Sequence, residues 1–154
     1  MIQAKELRIG NIVQIGDLTR GTTTMCVNAS HVFEVTLISC LQVHIHQIHN
    51  QGFGTVFYNE LSPIPLTPEL LEKCCGFKKA TEYIYDHKSG IIFDAPNDWN
   101  NPNNYPIGID CSRSLYGFNP EQIIIRTLTL HDLQNKFYSI TGEELEIDLT
   151  ALQS

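Results

Sequence analysis

Positive charge is scarce in this sequence. Its 154 residues carry ten Lys and Arg against 17 Asp and Glu, a formal net charge of −7, and the longest basic cluster is Lys78-Lys79. Proteins that hold nucleic acid displace phosphate counterions with a basic stripe, so nucleic acid is disfavoured as a partner. Long apolar runs are also missing: none approaches the roughly 20 residues that a membrane-spanning helix needs. The start, Met1-Ile2-Gln3-Ala4-Lys5-Glu6, lacks the charged and then apolar regions of a secretory signal. No membrane association is expected, and the expected location is cytoplasmic.

Regular cysteine spacing is absent too. Cys26, Cys40, Cys74, Cys75 and Cys111 are odd in number, and the adjacent pair is too cramped for an ordinary bridge. All five are expected as free thiols in a reducing compartment. Nor is there a nucleophile elbow, a phosphate-cradling Gly-rich loop, a dinucleotide fingerprint or a paired-His metalloprotease helix. No cofactor is implied, and the reading leans away from an enzyme.

What is present is core material. Hydrophobic residues make up 42% of the chain, with seven Phe, six Tyr and one Trp, and the length supports a buried core without staples. Charge changes along the chain: residues 1–66 hold three Lys/Arg and four Asp/Glu, whereas residues 67–154 hold seven and thirteen. Structure is expected to change near the same point, with a β-rich barrel-like unit over 1–66 and an α+β unit over 67–154, or one continuous domain.

In the first part, apolar Phe33, Val35 and Leu37 alternate with polar Glu34 and Thr36, the period of a half-buried strand over His31–Cys40. Shorter strand signals occur at Ile9–Ile15, Thr22–Val27, Leu41–Ile48 and Thr55–Tyr58, separated by Gly- and Asn-containing turns. Five short strands so spaced suggest a small SH3-like β-barrel or a curled antiparallel sheet.

In the second part, Thr67 is placed as N-cap, Pro68 at the first helical position and Gly76 just past the end of a short helix whose Leu70, Leu71 and Cys74 face inward. A hairpin of Glu82–Tyr85 and Ile91–Asp94 follows, then an Asn/Pro-rich loop around Trp99, then strands at Ile107–Cys111 and Gln122–Arg126. Thr129 opens the last helix, with Asp132 as a capping-box-like partner and Leu130, Leu133, Phe137 and Ile140 on one apolar stripe ended by Gly142. The tail from Glu143 to Ser154 is read as a terminal strand or a frayed end. The fold class is α+β.

Three segments together carry a resemblance: Leu7-Arg8-Ile9-Gly10-Asn11; Pro63-Ile64-Pro65-Leu66-Thr67 with Gly76-Phe77; and His131-x-Leu133-Gln134-Asn135-x-Phe137-Tyr138-x-x-Thr141-Gly142-Glu143-Glu144-Leu145. The set resembles an uncharacterised group of small proteins from Bacteroides-type bacteria, often found near phage or other mobile-element genes. That resemblance implies a phage or mobile-element context and transfers no activity, substrate or catalytic residue.

Two constellations could carry function. On a strand, His44 and His46 project from one face roughly 6.6–7 Å apart, so two imidazoles could share a metal if carboxylates from the Asp94, Asp98 and Asp110 region converged on them. That would make a metal-dependent hydrolase; the plainer alternative is a polar strand face. The other is on the last helix, where His131, Gln134, Asn135 and Tyr138 form an uncharged polar stripe roughly 130° from the apolar one. Solvated faces favour Lys and Glu, so this stripe suggests contact with another element of the chain or with a protein partner. Trp99 is a further candidate binding residue, and Cys74-Cys75, on the apolar side of its helix, reads as buried structure. The leading expectation is a non-enzymatic interaction or accessory module; oligomeric state is not readable.

Overall fold

The computed structural model describes residues 2–15, 32–48, 52–101, 107–110, 113–114, 117–118 and 124–150. The expected strand at Thr22–Val27, together with Cys26, His49 and Cys111, lies outside them. The fold is mixed α+β, mostly strands with one C-terminal α-helix, and the chain forms two compact units: residues 1–65 with 129–135, and residues 66–128 with 136–154.

The first unit is a curled antiparallel sheet. Strands β1 (Ile12–Ile15), β2 (Val32–Ile38), β3 (Gln42–Gln47), β4 (Phe53–Phe57) and β5 (Leu61–Ser62) are ordered β4-β3-β2-β1-β5. A single 3₁₀ turn at Tyr58–Glu60 returns the chain so that β5 pairs with β1, the SH3-like arrangement. Ile2, Val13, Val35, Val43, Ile45 and Leu61 form the core on one face, because successive residues of a strand point to opposite sides.

One sequence expectation fails inside β2. Val35 pairs with Ile45 but Leu37 pairs with His44, so Thr36 is an extra, bulged residue. The bulge shifts the alternation: Ile38 packs on the core, while Leu37, expected inside with Phe33 and Val35, is exposed beside His44. The Thr36 hydroxyl donates to the His44 carbonyl at 3.2 Å.

The second unit is built on a five-stranded antiparallel sheet: β6 (Phe77–Lys79), β7 (Ile84–His87), β8 (Ile92–Asp94) and β9 (Gly108–Asp110), with β12 (Ile124–Arg126) completing the order β12-β9-β8-β7-β6. Between β9 and β12, β10 (Arg113–Ser114) and β11 (Gly117–Phe118) form a separate small pair. Phe77, Tyr85, His87, Phe93 and Ile109 alternate onto the buried face. Gly108 has φ +145°, and a Cβ there would stand 2.8 Å from the Thr127 nitrogen and collide with the Ile125 carbonyl, so glycine is what lets β12 close on β9.

The short helix of the second unit keeps its expected signals. The Thr67 hydroxyl accepts the Leu70 N–H at 3.1 Å and Gly76 sits at φ +72° past the end. Leu70–Cys74 is wound as a π-type turn, with Cys75 N–H donating to the Leu70 carbonyl, and Leu70, Leu71 and Cys74 are buried as expected.

The last helix, α1, runs Leu130–Thr141. Leu130, Leu133 and Phe137 are buried as the stripe demands, but Ile140 is 45% exposed. Over its described residues, 143–150, the tail is neither strand nor frayed, and the rest of it lies outside the described residues. Residues 143–148 are irregular yet held, with Leu145 and Leu149 buried and Asp148 N–H donating to the Cys74 carbonyl at 2.9 Å.

Candidate functional site

The polar stripe of α1 divides. His131 and Gln134 are buried within the first unit, at 6% and 4% exposure. The Gln134 side chain bridges two backbone groups: its Oε1 accepts the Ile12 N–H at 2.8 Å and its Nε2 donates to the Gly10 carbonyl at 3.1 Å. Beside it, Asn135 Oδ1 accepts from Asn11 Nδ2 at 2.8 Å and from Arg8 Nε at 3.1 Å, while Asn135 Nδ2 donates to the Glu6 carbonyl at 2.7 Å. These two amides tie down the chain from Glu6 to Ile12, just ahead of β1. His131 Nδ1 lies 3.2 Å from the Thr129 hydroxyl. Tyr138, on the helix turns that belong to the second unit, is 42% exposed.

A cleft of about 460 Å³ in the first unit is lined by Lys5, Glu6, Pro63, His131, Asp132 and Asn135. Its charges are mixed. It brings together two of the stripe residues, and Thr129, whose hydroxyl touches the His131 ring, lines it as well.

The histidine pair is on a different surface. Val43 and Ile45 point into the core, so His44 and His46 take the outer face of β3, where His44 lies opposite Thr55 and His46 opposite Phe53. The His46 and Phe53 rings stack with centroids 4.5 Å apart. Among the described residues no group of three or more His, Cys, Asp or Glu could hold a metal ion. Asp94 and Asp110 belong to the other unit: they lie diagonally on the face of β8 and β9 away from Phe93 and Ile109, since Ile92 is opposite Asp110 and Asp94 opposite Gly108, and Asp110 is buried there at 8% exposure. Asp98 sits in the following turn, its carboxylate accepting the Asn100 N–H at 2.9 Å, and neighbouring Trp99 is half-buried.

Around the two histidines is a feature that hydrophobic patterning had not singled out. Phe53 is 79% exposed, Phe57 53% and Leu37 46%, all on the side of the sheet that carries His44 and His46. Residues 35–59 contain no Asp, Glu, Lys or Arg. The signal was available in the sequence as the alternation of Phe53, Thr55 and Phe57 within that uncharged stretch.

Among its described residues the second unit offers no reactive thiol. Burial pushes the Cys74 thiol up to about 11 and the Cys75 thiol higher still, so neither forms a thiolate at neutral pH. His87 is buried against Phe77 and Phe137, with ring centroids 5.0 Å away in each case. Its Nδ1 accepts the Ser89 N–H at 3.1 Å and lies 2.8 Å from the Ser89 hydroxyl, which assigns the free lone pair to Nδ1. Burial, and after it the adjacent Lys88 ammonium, hold this imidazole below its ordinary pKa.

No protein-family model, curated protein or solved structure matches the chain. No helix among the described residues is long and apolar enough to cross a membrane.

Proposed function

We propose that this chain is a non-enzymatic protein-interaction or accessory module of a phage or mobile-element context, acting in the cytoplasm through the outer face of β2, β3 and β4. The observation that supports this reading is the exposure of Phe53, Phe57 and Leu37 on one side of a well-packed sheet. Apolar side chains gathered on one exposed face mark interaction sites, whereas scattered ones are ordinary. Their neighbours His44, His46 and Thr55 supply hydrogen-bonding groups, giving the aromatic-with-polar composition typical of protein interfaces.

The test replaces Phe53→Ser and Phe57→Ser together in the full chain and compares proteins captured from cells carrying the neighbouring mobile-element genes. A partner bound by the original chain and lost from the folded double variant supports the reading. Identical capture by both overturns it. Calorimetric titration with zinc and manganese addresses the rival hydrolase: stoichiometric binding abolished by His44→Ala with His46→Ala would favour that rival instead.

A further inference from the structure

We propose that the partner β4 is shaped for is a second copy of this chain, joined by antiparallel β4–β4 pairing about a two-fold axis at Thr55. This rests on the reading that the outer face is an interface and goes beyond it by naming the occupant.

The phase of the β3–β4 ladder fixes which backbone groups are available. Gln47 N–H donates to the Gly52 carbonyl at 2.7 Å, so that pair is a hydrogen-bonded one. Paired residues in an antiparallel ladder alternate between bonded and non-bonded, and the register pairs Ile45 with Gly54 and Val43 with Val56. Those are therefore the bonded pairs, and the N–H and C=O groups of Phe53, Thr55 and Phe57 turn away from β3. One of them already has a partner: the Phe57 N–H donates to the Glu60 carboxylate at 2.6 Å. Two donors per copy, on Phe53 and Thr55, face outward with no partner among the described residues.

A two-fold axis through Thr55 satisfies both. It sets Thr55 opposite the second copy's Thr55, giving two N–H to C=O bonds, and Phe53 opposite Phe57, giving two more from Phe53 N–H to Phe57 C=O. The Phe57 N–H that Glu60 holds in the single chain faces the second copy's Phe53 carbonyl in this arrangement, so pairing requires the exposed Glu60 side chain to swing aside and release it. Self-complementarity of this kind is what an isologous contact requires, residue i meeting j while j meets i. The same operation places exposed Phe53 across from exposed Phe57 twice, and such cross-strand aromatic pairs are the stabilising unit of a sheet.

Charge favours like meeting like. The chain carries −7 overall, so most of its surface repels a second copy, yet residues 35–59 carry no Asp, Glu, Lys or Arg, and the charge beside this edge is the Glu60 carboxylate that must swing aside. The edge also lacks the Lys and Pro that usually guard exposed strands against pairing. Area sets the strength. At 79% and 53% exposure, two Phe rings of about 200 Å² each offer about 260 Å² per copy, well under the roughly 800 Å² per partner of a stable complex. The dimer is accordingly weak and reversible, as interfaces below the standard size are.

Sedimentation of the full chain from about 5 to about 500 μM, a range suited to weak association, should show the mass rising from 17.4 kDa toward twice that value. Thr55→Pro removes the axial donor without touching a β3 bond and should leave the protein folded and monomeric throughout; Phe53→Ser with Phe57→Ser should do the same. In a Cys40→Ser background, Thr55→Cys should cross-link to its own copy on oxidation, the two α-carbons lying within disulfide reach. A constant mass of 17.4 kDa overturns the proposal, as does a dimer indifferent to Thr55→Pro. A monomer that still loses a captured partner in the Phe53/Phe57 variant would sink the dimer while leaving the interaction reading intact; a dimer whose captured proteins never change does the reverse.

Discussion

Replacing Gln134 by Ala should damage the first unit as severely as a core truncation, although its neighbours in sequence mark it as part of a polar stripe. The amide makes two hydrogen bonds, to Ile12 N–H and to the Gly10 carbonyl, and is 4% exposed. Each bond contributes about 1 kcal/mol net, and a buried donor left unsatisfied costs about 1–3 kcal/mol. Ile12 is 7% exposed, so water cannot easily replace the lost acceptor; Gly10 is less enclosed, so its carbonyl can rehydrate. Side-chain freedom regained in the variant returns part of this, up to about 2 kcal/mol for Gln. The expected loss is about 2–4 kcal/mol. With a urea slope of about 2 kcal/mol/M, the middle of the usual range for a small unit, that moves the midpoint by roughly 1–2 M. Gln134→Met, which keeps the volume and removes both bonds, should lose nearly as much, and hydrogen exchange at the Ile12 amide should accelerate in both variants. A loss below about 0.5 kcal/mol, the range of ordinary surface changes, would refute the assignment of these bonds as structural.

Gly108→Ala should be among the most damaging single changes in the second unit, by at least about 3 kcal/mol in thermal or urea melts, because the added carbon meets the Ile125 carbonyl in a backbone conformation that L-residues avoid. Alkylation followed by peptide mapping at pH 8 should label Cys40 well before Cys74 and Cys75, since the first is exposed and the other two are buried with raised pKa values; equal rates would contradict this. His87 should make stability fall as pH drops. Its folded pKa lies below the unfolded value of 6.5, so below about pH 6.5 the unfolded chain binds the extra proton, and the stability present above that value is lost as pH falls toward the folded pKa. His87→Asn, whose Oδ1 can accept the Ser89 N–H, should flatten urea midpoints measured between about pH 7.5 and 5.5; an unchanged slope would mean that other groups carry the dependence.

The sequence yields most readily those elements whose physical cause is local. The Thr67 cap and Gly76 stop mark both ends of a helix because capping is a matter of a few adjacent residues. They say nothing of the ladder between, and so the π-type winding over Leu70–Cys74 is invisible to them. β5 and β6, of two and three residues, are too short for any period to register, and are strands because partners pair with them. The bulge at Thr36 is of the same kind: whether Leu37 faces in or out depends on the partner strand, since one inserted residue exchanges the two faces.

The α1 stripe and the β4 edge show how the same residue chemistry divides between folding and recognition. An uncharged polar face signals hydrogen-bonding groups that need partners, and neither periodicity nor composition says which chain supplies them. In α1 the amides of Gln134 and Asn135 find theirs at Glu6, Gly10, Asn11 and Ile12, contacts more than a hundred residues away in sequence and inaccessible to local pattern. Phe53 and Phe57 pose the opposite case. Their alternation is what a strand with one buried face displays, and a period-two pattern alone would put them inside. The core side of β4 instead takes Gly54 and Val56, against Ile45 and Val43, because β3 fixes the register with its two β-branched residues inward. With Val43 and Ile45 fully buried, no slip of one residue is affordable, and the aromatic side chains are left outside. Their exposure is therefore imposed by the core rather than tolerated by it, and burying them requires a surface from beyond this sheet.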